Sequence, residues 1–294
     1  KRAIDIAMNT IKNCNNTNIY SLGPLIHNPQ VVDELSRKGL RVIESIDGLD
    51  KGKIIVRAHG IPLELEKKIT DLNLQLEDCT CPYVKSVHKK VEKYNNNDYQ
   101  VIIIGDKNHP EVIGINGWCN NEGIIVNCEE EAKRIPYYDK ICIVSQTTNT
   151  LEKFEFLSNI LINKGDKVEI FNTICNATNL RQKACQDLAE KVEAMIVIGG
   201  YHSSNTNKLV EISRKYCDNV YHIETPENLS LQELIKFNTI GITAGASTPN
   251  WIIKEVIEIM DNINDNEIME AIENSLVRIH RGDIVKGEVI YVTD

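Results

Sequence analysis

Two stretches of this chain close in the same way. Residues 74–84 alternate apolar side chains at Leu74 and Leu76, and 78–82 (Asp-Cys-Thr-Cys-Pro) stops the alternation. Val84, Val87 and Val91 then recur at helical spacing. Residues 168–175 again form a strand pattern ending in cysteine, followed by helical spacing at Leu180, Ala184, Leu188 and Val192. An apolar strand follows each helix, at 101–105 and 195–199, and then a polar loop, at 106–111 and 201–207. A repeated supersecondary unit constrains the fold more tightly than any single segment can. Alternating strands and helices predict parallel sheets joined by right-handed crossovers, with ligands bound beyond the carboxyl ends of the strands.

With these two copies as template, the first 80 residues read as a third copy that lacks its start. Helix 1–14 leads to a strand from Ile19 and a loop carrying His27, then to helix 30–38 and strand 41–44. A strand from Lys53 ends at His59, and helix 63–72 leads to the strand that ends at Cys81. The second copy places His109 and Glu111 in the loop after strand 101–105, and Thr147 after strand 141–144, before helix 151–163. The third copy places Ser203, Ser204 and Asn205 after strand 195–199, and Ser247 after strand 239–243, before helix 251–260. The expected fold class is therefore α/β. Three pseudo-repeated units (1–81, 82–175 and 176–262) each hold a small parallel sheet, arranged as a trefoil around a central site. The acidic, asparagine-rich 263–277 reads as a linker, and 278–294 as the start of a further β unit. Lys1 opens inside an amphipathic pattern, so both ends read as cut, and the template calls for one more cysteine before Lys1.

A cysteine at the start of a helix meets outward-pointing amides and the positive end of the helix dipole, which favour the thiolate. Cys81 and Cys175 thus read as ligands or nucleophiles, although cysteines are also ordinary small core residues, and Cys79 on the same strand face is an impostor for Cys81. Neither belongs to a CxxC pair, which argues against a zinc ribbon; thiolates from separate units suit an iron–sulfur cluster. The other cysteines (14, 119, 128, 142, 185 and 217) have no repeat partner and read as structural.

The remaining loop groups form a set of donors for phosphate oxygens: imidazoles at His27, His59 and His109, hydroxyls at Ser203, Ser204 and Ser247, and the Asn205 amide. A lone histidine is ordinarily a polar surface or satisfied core residue. Three at strand ends, two of them followed closely by proline, shift that reading towards function. Ser203-Ser204-Asn205 also reads as a cap for a helix over 206–216, and capping is compatible with anion binding. Glu111, followed by Val112 and Ile113, suits a proton donor in a dry pocket, against the alternative of a salt-bridged loop acid.

Nine cysteines without a short regular framework argue for a reducing, cytoplasmic setting. A net charge of −9 disfavours nucleic-acid binding by the bulk surface. No apolar run approaches the ~20 residues of a bilayer span.

The motifs RAHG, DCTCP, HPEVIG, SQTT, SSNTNKL and TAGAS, in this order over residues 1–260, resemble the hydroxymethylbutenyl diphosphate reductase family, the terminal iron–sulfur enzymes of the non-mevalonate isoprenoid pathway. The resemblance implies a 4Fe-4S cluster held by three cysteines, with one iron open to substrate. Cys81 and Cys175 match two of the ligands. His27, His59, His109, Ser203, Ser204, Asn205 and Ser247 match the diphosphate pocket, Glu111 the proton-delivering acid, and Thr147 a substrate-side hydroxyl. The implied reaction is reductive dehydroxylation of 4-hydroxy-3-methylbut-2-enyl diphosphate to isopentenyl and dimethylallyl diphosphates, with electrons from ferredoxin or flavodoxin. The family's first cluster cysteine has no match here, since Cys14 does not fit its motif, so residues 1–294 alone are expected to be inactive. Residues 278–294 resemble the opening of an OB-type RNA-binding barrel, implying RNA or ribosome contact for a longer protein. The rival readings are a non-catalytic RNA-binding or translation-associated protein, and an iron or redox sensor on the same scaffold.

Overall fold

The structure, a computed structural model, describes residues 2–14, 17–26 and 28–262. His27 and the stretches 263–277 and 278–294, expected as pocket residue, linker and start of a barrel, lie outside the described residues. In chain order the first elements are α1 (Arg2–Asn13), β1 (Ile19–Leu22), α2 (Pro29–Arg37), β2 (Leu40–Ile43), β3 (Lys53–Val56), α3 (Leu63–Asp71) and β4 (Gln75–Asp78). Next come α4 (Pro82–Asn95), β5 (Gln100–Ile104), α5 (Pro110–Gly117), β6 (Ile124–Val126), α6 (Glu129–Arg134), β7 (Tyr138–Ser145), α7 (Leu151–Leu161) and β8 (Gly165–Ile170). The last are α8 (Asn176–Ala189), β9 (Ala194–Ile198), α9 (Ser204–Tyr216), β10 (Asn219–Ile223), α10 (Leu231–Leu234), β11 (Ile240–Ala244) and α11 (Asn250–Asn262).

The strands form three small sheets, in the orders β2-β1-β3-β4, β6-β5-β7-β8 and β10-β9-β11. Every pairing is parallel. The fold is thus α/β with three small parallel sheets, as the repeat implied. The described residues pack as two compact units, one of those in 2–26 and 30–175 with the first two sheets, the other of 28–29 and 176–262 with the third.

The central strands are apolar on both faces, as helix-covered parallel strands must be. In β5, Ile102 and Ile104 pack with Phe154 and Leu157 of α7, while Val101 and Ile103 face Val87 and Val91 of α4 and Val112 of α5. Each fully buried aliphatic side chain contributes about 1.5–3 kcal/mol. A glycine directly follows β1, β5 and β9 and donates to the end of the neighbouring strand: Gly23 to Ile43 O (2.9 Å), Gly105 to Val126 O (2.9 Å) and Gly199 to Ile223 O (2.8 Å). The third of these shows why. A Cβ on Gly199 would stand 2.6 Å from the Thr206 hydroxyl, so α9 closes onto the strand end because no side chain intervenes.

Three expectations are corrected. Regular strand stops at Asp78 and Ile170, short of the two cysteines. The ladder nevertheless continues: Cys79 donates to Val56 O and Cys81 to Ala58 O, and Phe171 to Ile143 O and Cys175 to Thr147 O. In the second case the Thr173 hydroxyl replaces one rung, accepting from Ser145 N (2.8 Å) and donating to Ser145 O (2.5 Å). Glu111, expected in a polar loop, is instead in the first turn of α5. Finally, β6, α6, β10 and α10 are elements that the repeat pattern did not announce.

Candidate active site

In the first unit the site is built where α4 and α5 begin. Cys81 is the N-cap of α4, with Pro82 at its first position, and its amide bond to Ala58 O (2.9 Å) ties it to the residue before His59. The backbone amides of Tyr83 and Val84 act to lower the Cys81 thiol, the direction expected at a helix start, although the side chain makes no capping hydrogen bond. Burial outweighs them, however, and raises the thiol, with Cys175 and Glu111 close enough to add to the rise. The sequence expectation of a thiolate stabilised by the helix alone is therefore corrected. Cys175 is half-buried and immediately precedes α8.

Glu111 is 2% exposed. Its Oε1 accepts the Thr147 amide at 2.6 Å and its Oε2 meets the Thr147 hydroxyl at 2.8 Å. Burial pushes the carboxyl up to about 7, against the lowering effect of both Thr147 bonds. The same Thr147 accepts the Cys175 amide on its carbonyl (2.9 Å), so one residue joins the acid to a candidate ligand. His109 caps α5: its Nδ1 accepts the Glu111 amide at 3.1 Å. A nitrogen that accepts carries no proton, so the neutral ring donates from Nε2. The His59 ring stands edge-on to it, 5.4 Å between centroids.

Cys79 is a different case. It is buried against Ala3, Ala7 and Ile55, and burial pushes its thiol up to about 12, which makes it an inert core residue. Cys119, Cys142, Cys185 and Cys217 are buried as well. Among the described residues no group of three or more His, Cys, Asp or Glu side chains is arranged to hold a metal ion. Cys81 and Cys175 fit two thiolate corners of a cluster: both are partly exposed and both stand at helix starts.

The second unit carries the hydroxyl and amide groups. Ser203 is the N-cap of α9 and accepts the Thr206 amide (3.4 Å), so its capping role holds. Ser204 opens the helix. Both amide atoms of Asn205 and the hydroxyl of Ser247 are buried without a hydrogen-bond partner among the described residues. Each such orphan costs about 1–3 kcal/mol; a ligand's oxygens at that place would accept from Asn205 Nδ2 and the Ser247 hydroxyl, whereas Asn205 Oδ1 calls for a donor. Thr206, which sequence reasoning passed over as an ordinary helix residue, joins the two loops. Its hydroxyl fills the place of a Cβ on both Gly199 and Gly245, at 2.6 and 2.1 Å. The glycines ending β9 and preceding Ser247 were the available signal.

The profile of the LytB protein family matches residues 1–261. A 4-hydroxy-3-methylbut-2-enyl diphosphate reductase of Clostridium tetani (strain Massachusetts / E88) is 48% identical over 295 residues, covering 99% of this chain and 46% of the relative. The chain therefore spans about half the length of that relative. A protein of the same name from Caldanaerobacter subterraneus subsp. tengcongensis is 48% identical over 261 residues, covering 88% of this chain and 91% of the relative. The solved structure of the E-1-hydroxy-2-methyl-but-2-enyl-4-diphosphate reductase from Plasmodium falciparum superposes with a TM-score of 0.83 at 28% identity, covering 99% of this chain and 90% of that one.

Proposed function

Because the chain belongs to the LytB protein family, we propose that its parent protein reduces 4-hydroxy-3-methylbut-2-enyl diphosphate to isopentenyl and dimethylallyl diphosphates. The observation that carries this reading is Glu111: a buried acid with its carboxyl raised to about 7, tied through Thr147 to the backbone of Cys175. Such an acid is half-protonated near neutrality and can deliver a proton in a dry site.

Cys81 and Cys175 would hold a 4Fe-4S cluster, which would supply electrons one at a time and Lewis acidity towards the alcohol oxygen. Overall the alcohol accepts two electrons and two protons and releases water. When Glu111 is protonated at Oε2, its bond with the Thr147 hydroxyl reverses: the acid donates to the hydroxyl oxygen, and the hydroxyl passes its own proton to the departing oxygen. Protonation of the allylic carbon skeleton at either end accounts for two products. His109, with Nε2 as donor, and His59 bind diphosphate oxygens, as does His27. Asn205, Ser247, Ser203 and Ser204 supply the further donors, at the start of a 13-residue helix whose dipole favours an anion.

Residues 1–294 offer two suitable thiols, so this piece by itself should host the cluster poorly. Ferredoxin or flavodoxin would donate the electrons, in the cytoplasm. Among the described residues no helix is long and apolar enough to cross a membrane. Any RNA or ribosome contact would rest on the part from 278 onward.

The test is anaerobic reconstitution of the full-length parent, followed by iron–sulfur absorbance and turnover with a reduced mediator. Oxidation of the mediator that depends on the diphosphate substrate is expected. A cluster without such oxidation would favour a redox sensor, and RNA binding without a cluster a scaffold; either result overturns the proposal.

A further inference from the structure

Behind the first-unit site lies a packed pair that the reaction itself does not use. His88, on the second turn of α4, is 3% exposed, and its ring stacks on Trp118, the C-cap of α5, at 5.1 Å and 17° between planes. The segment 59–62 is pinned against this pair. Gly60 has φ +76, and a Cβ there would stand 2.5 Å from His88 Cε1 and 3.2 Å from Thr80 Cγ2, so the ring edge takes the place of a side chain. The Trp118 indole donates to Ile61 O at 3.0 Å. A Cβ on Gly117 would meet Pro62 at 2.3 Å, which makes glycine obligatory where α5 crosses the segment.

The elements so joined are the ones that carry the chemistry. The N-cap of α4 is Cys81, the N-cap of α5 is His109 with Glu111 just inside, and the pinned segment begins at His59. Two helices and a loop that meet at one stacked pair keep a fixed separation at their functional ends. Core packing at this density does not yield smoothly, so a gap at the stack is transmitted as a displacement of the elements around it.

We propose that the His88–Trp118 stack is a positioning device, which holds Cys81, His59 and Glu111 at their working separation without touching substrate. The catalytic part of this inference rests on the reductase reading above; the structural part does not. Two readouts keep them apart. In the 294-residue chain without cluster, the ratio of Cys81 to Cys175 alkylation by iodoacetamide, mapped by mass spectrometry, reports the placement of Cys81 alone. In the reconstituted full-length protein, kcat per intact cluster reports the separation of ligand and acid.

His88→Ala should raise the alkylation ratio at least threefold and lower kcat per cluster at least tenfold, with KM changed little. His88→Phe preserves a flat ring on Trp118 and should leave both at the wild-type values, well inside the change expected for Trp118→Phe. Trp118→Phe keeps a ring but deletes the bond to Ile61 and should raise the ratio about twofold; it decides the matter if His88→Ala does not fold. A folded His88→Ala protein, or failing that a folded Trp118→Phe protein, with an unchanged ratio overturns the proposal. So does a loss of kcat that follows cluster content alone, because a merely structural role predicts that outcome. Wild-type full-length protein without substrate-dependent turnover would sink the reductase reading and leave the alkylation ratio as the judge of the stack.

Discussion

Glu111 and Thr147 are joined twice, amide to Oε1 at 2.6 Å and hydroxyl to Oε2 at 2.8 Å, while the Thr147 carbonyl takes the amide of Cys175. The acid is therefore oriented by the same residue that continues the β7–β8 ladder to a candidate ligand. The two Thr147 bonds lower the carboxyl and burial raises it, and burial wins.

The hydroxyl half of that pair can be removed alone. Thr147→Val keeps the amide bond and deletes the proton path, so turnover per cluster should fall roughly 10²-fold, within the range for a single proton-transfer group. Glu111→Gln should lose 10²–10⁴-fold on the same scale. Both should load iron as the parent does. Mediator oxidation per bound cluster checks this, and equal rates for Glu111→Gln and parent would remove Glu111 from the chemistry.

A pH-dependent stability follows from the same carboxyl. Its folded value is raised from 4.5 to about 7, so the folded state holds its proton more tightly. The resulting stabilisation is fully present below the unfolded value of 4.5 and is lost as pH rises through about 7. At 1.36 kcal/mol per unit, the change is roughly 3 kcal/mol between pH 4.5 and 8. Urea midpoints of the cluster-less chain and of Glu111→Gln, taken across that window, should diverge, with only the Glu111 protein weakening as pH rises.

Most of the strands, and the placing of Cys81 and Cys175 just before helices, were legible because long apolar runs and a repeated strand–cysteine–helix order survive in one dimension. Helix α5 was not. Its sequence, PEVIGING, carries two glycines that count against a helix locally. Gly117 is required by the contact with Pro62, and Gly114 would bring a Cβ to 3.4 Å from His59 O; these are tertiary reasons that no window of sequence displays. Likewise Cys79 and Cys81 share a strand parity but not a fate. Residue 79 still faces the α1 side of the sheet, whereas 81 has become the cap of α4. The balance at Cys81 between helix amides and burial is a three-dimensional quantity too, which explains why the expectation of a stabilised thiolate did not hold.

That difference between neighbours can be measured. Cys79→Ser places a hydroxyl at a position 2% exposed among apolar side chains, and should cost about 1–3 kcal/mol in urea unfolding. Iron content and turnover per cluster should be unchanged in the full-length protein. Cys81→Ser should behave in the opposite way, with little loss of stability and loss of the cluster absorbance. Loss of iron from a folded Cys79→Ser protein would show that the two roles had been exchanged.

The orphaned groups of the second unit make a prediction with two signs. Asn205 and Ser247 bury polar atoms without a partner among the described residues, and such groups weaken a fold that has no ligand to meet them. Replacing Asn205 by Ala, or Ser247 by Ala, removes the orphan atoms along with a small volume. Stability of the ligand-less chain should then stay level or rise by up to about 1 kcal/mol. Each donor is nevertheless proposed to meet a diphosphate oxygen, and a hydrogen bond to a charged partner contributes about 1.5–3 kcal/mol. The same variants should therefore raise the KM of the full-length enzyme by roughly tenfold or more at little cost in cluster content, since 1.4 kcal/mol is a factor of ten. Thermal melts read the first sign and substrate titration the second. Variants that lose stability and leave KM untouched would make Asn205 and Ser247 structural residues rather than ligand donors.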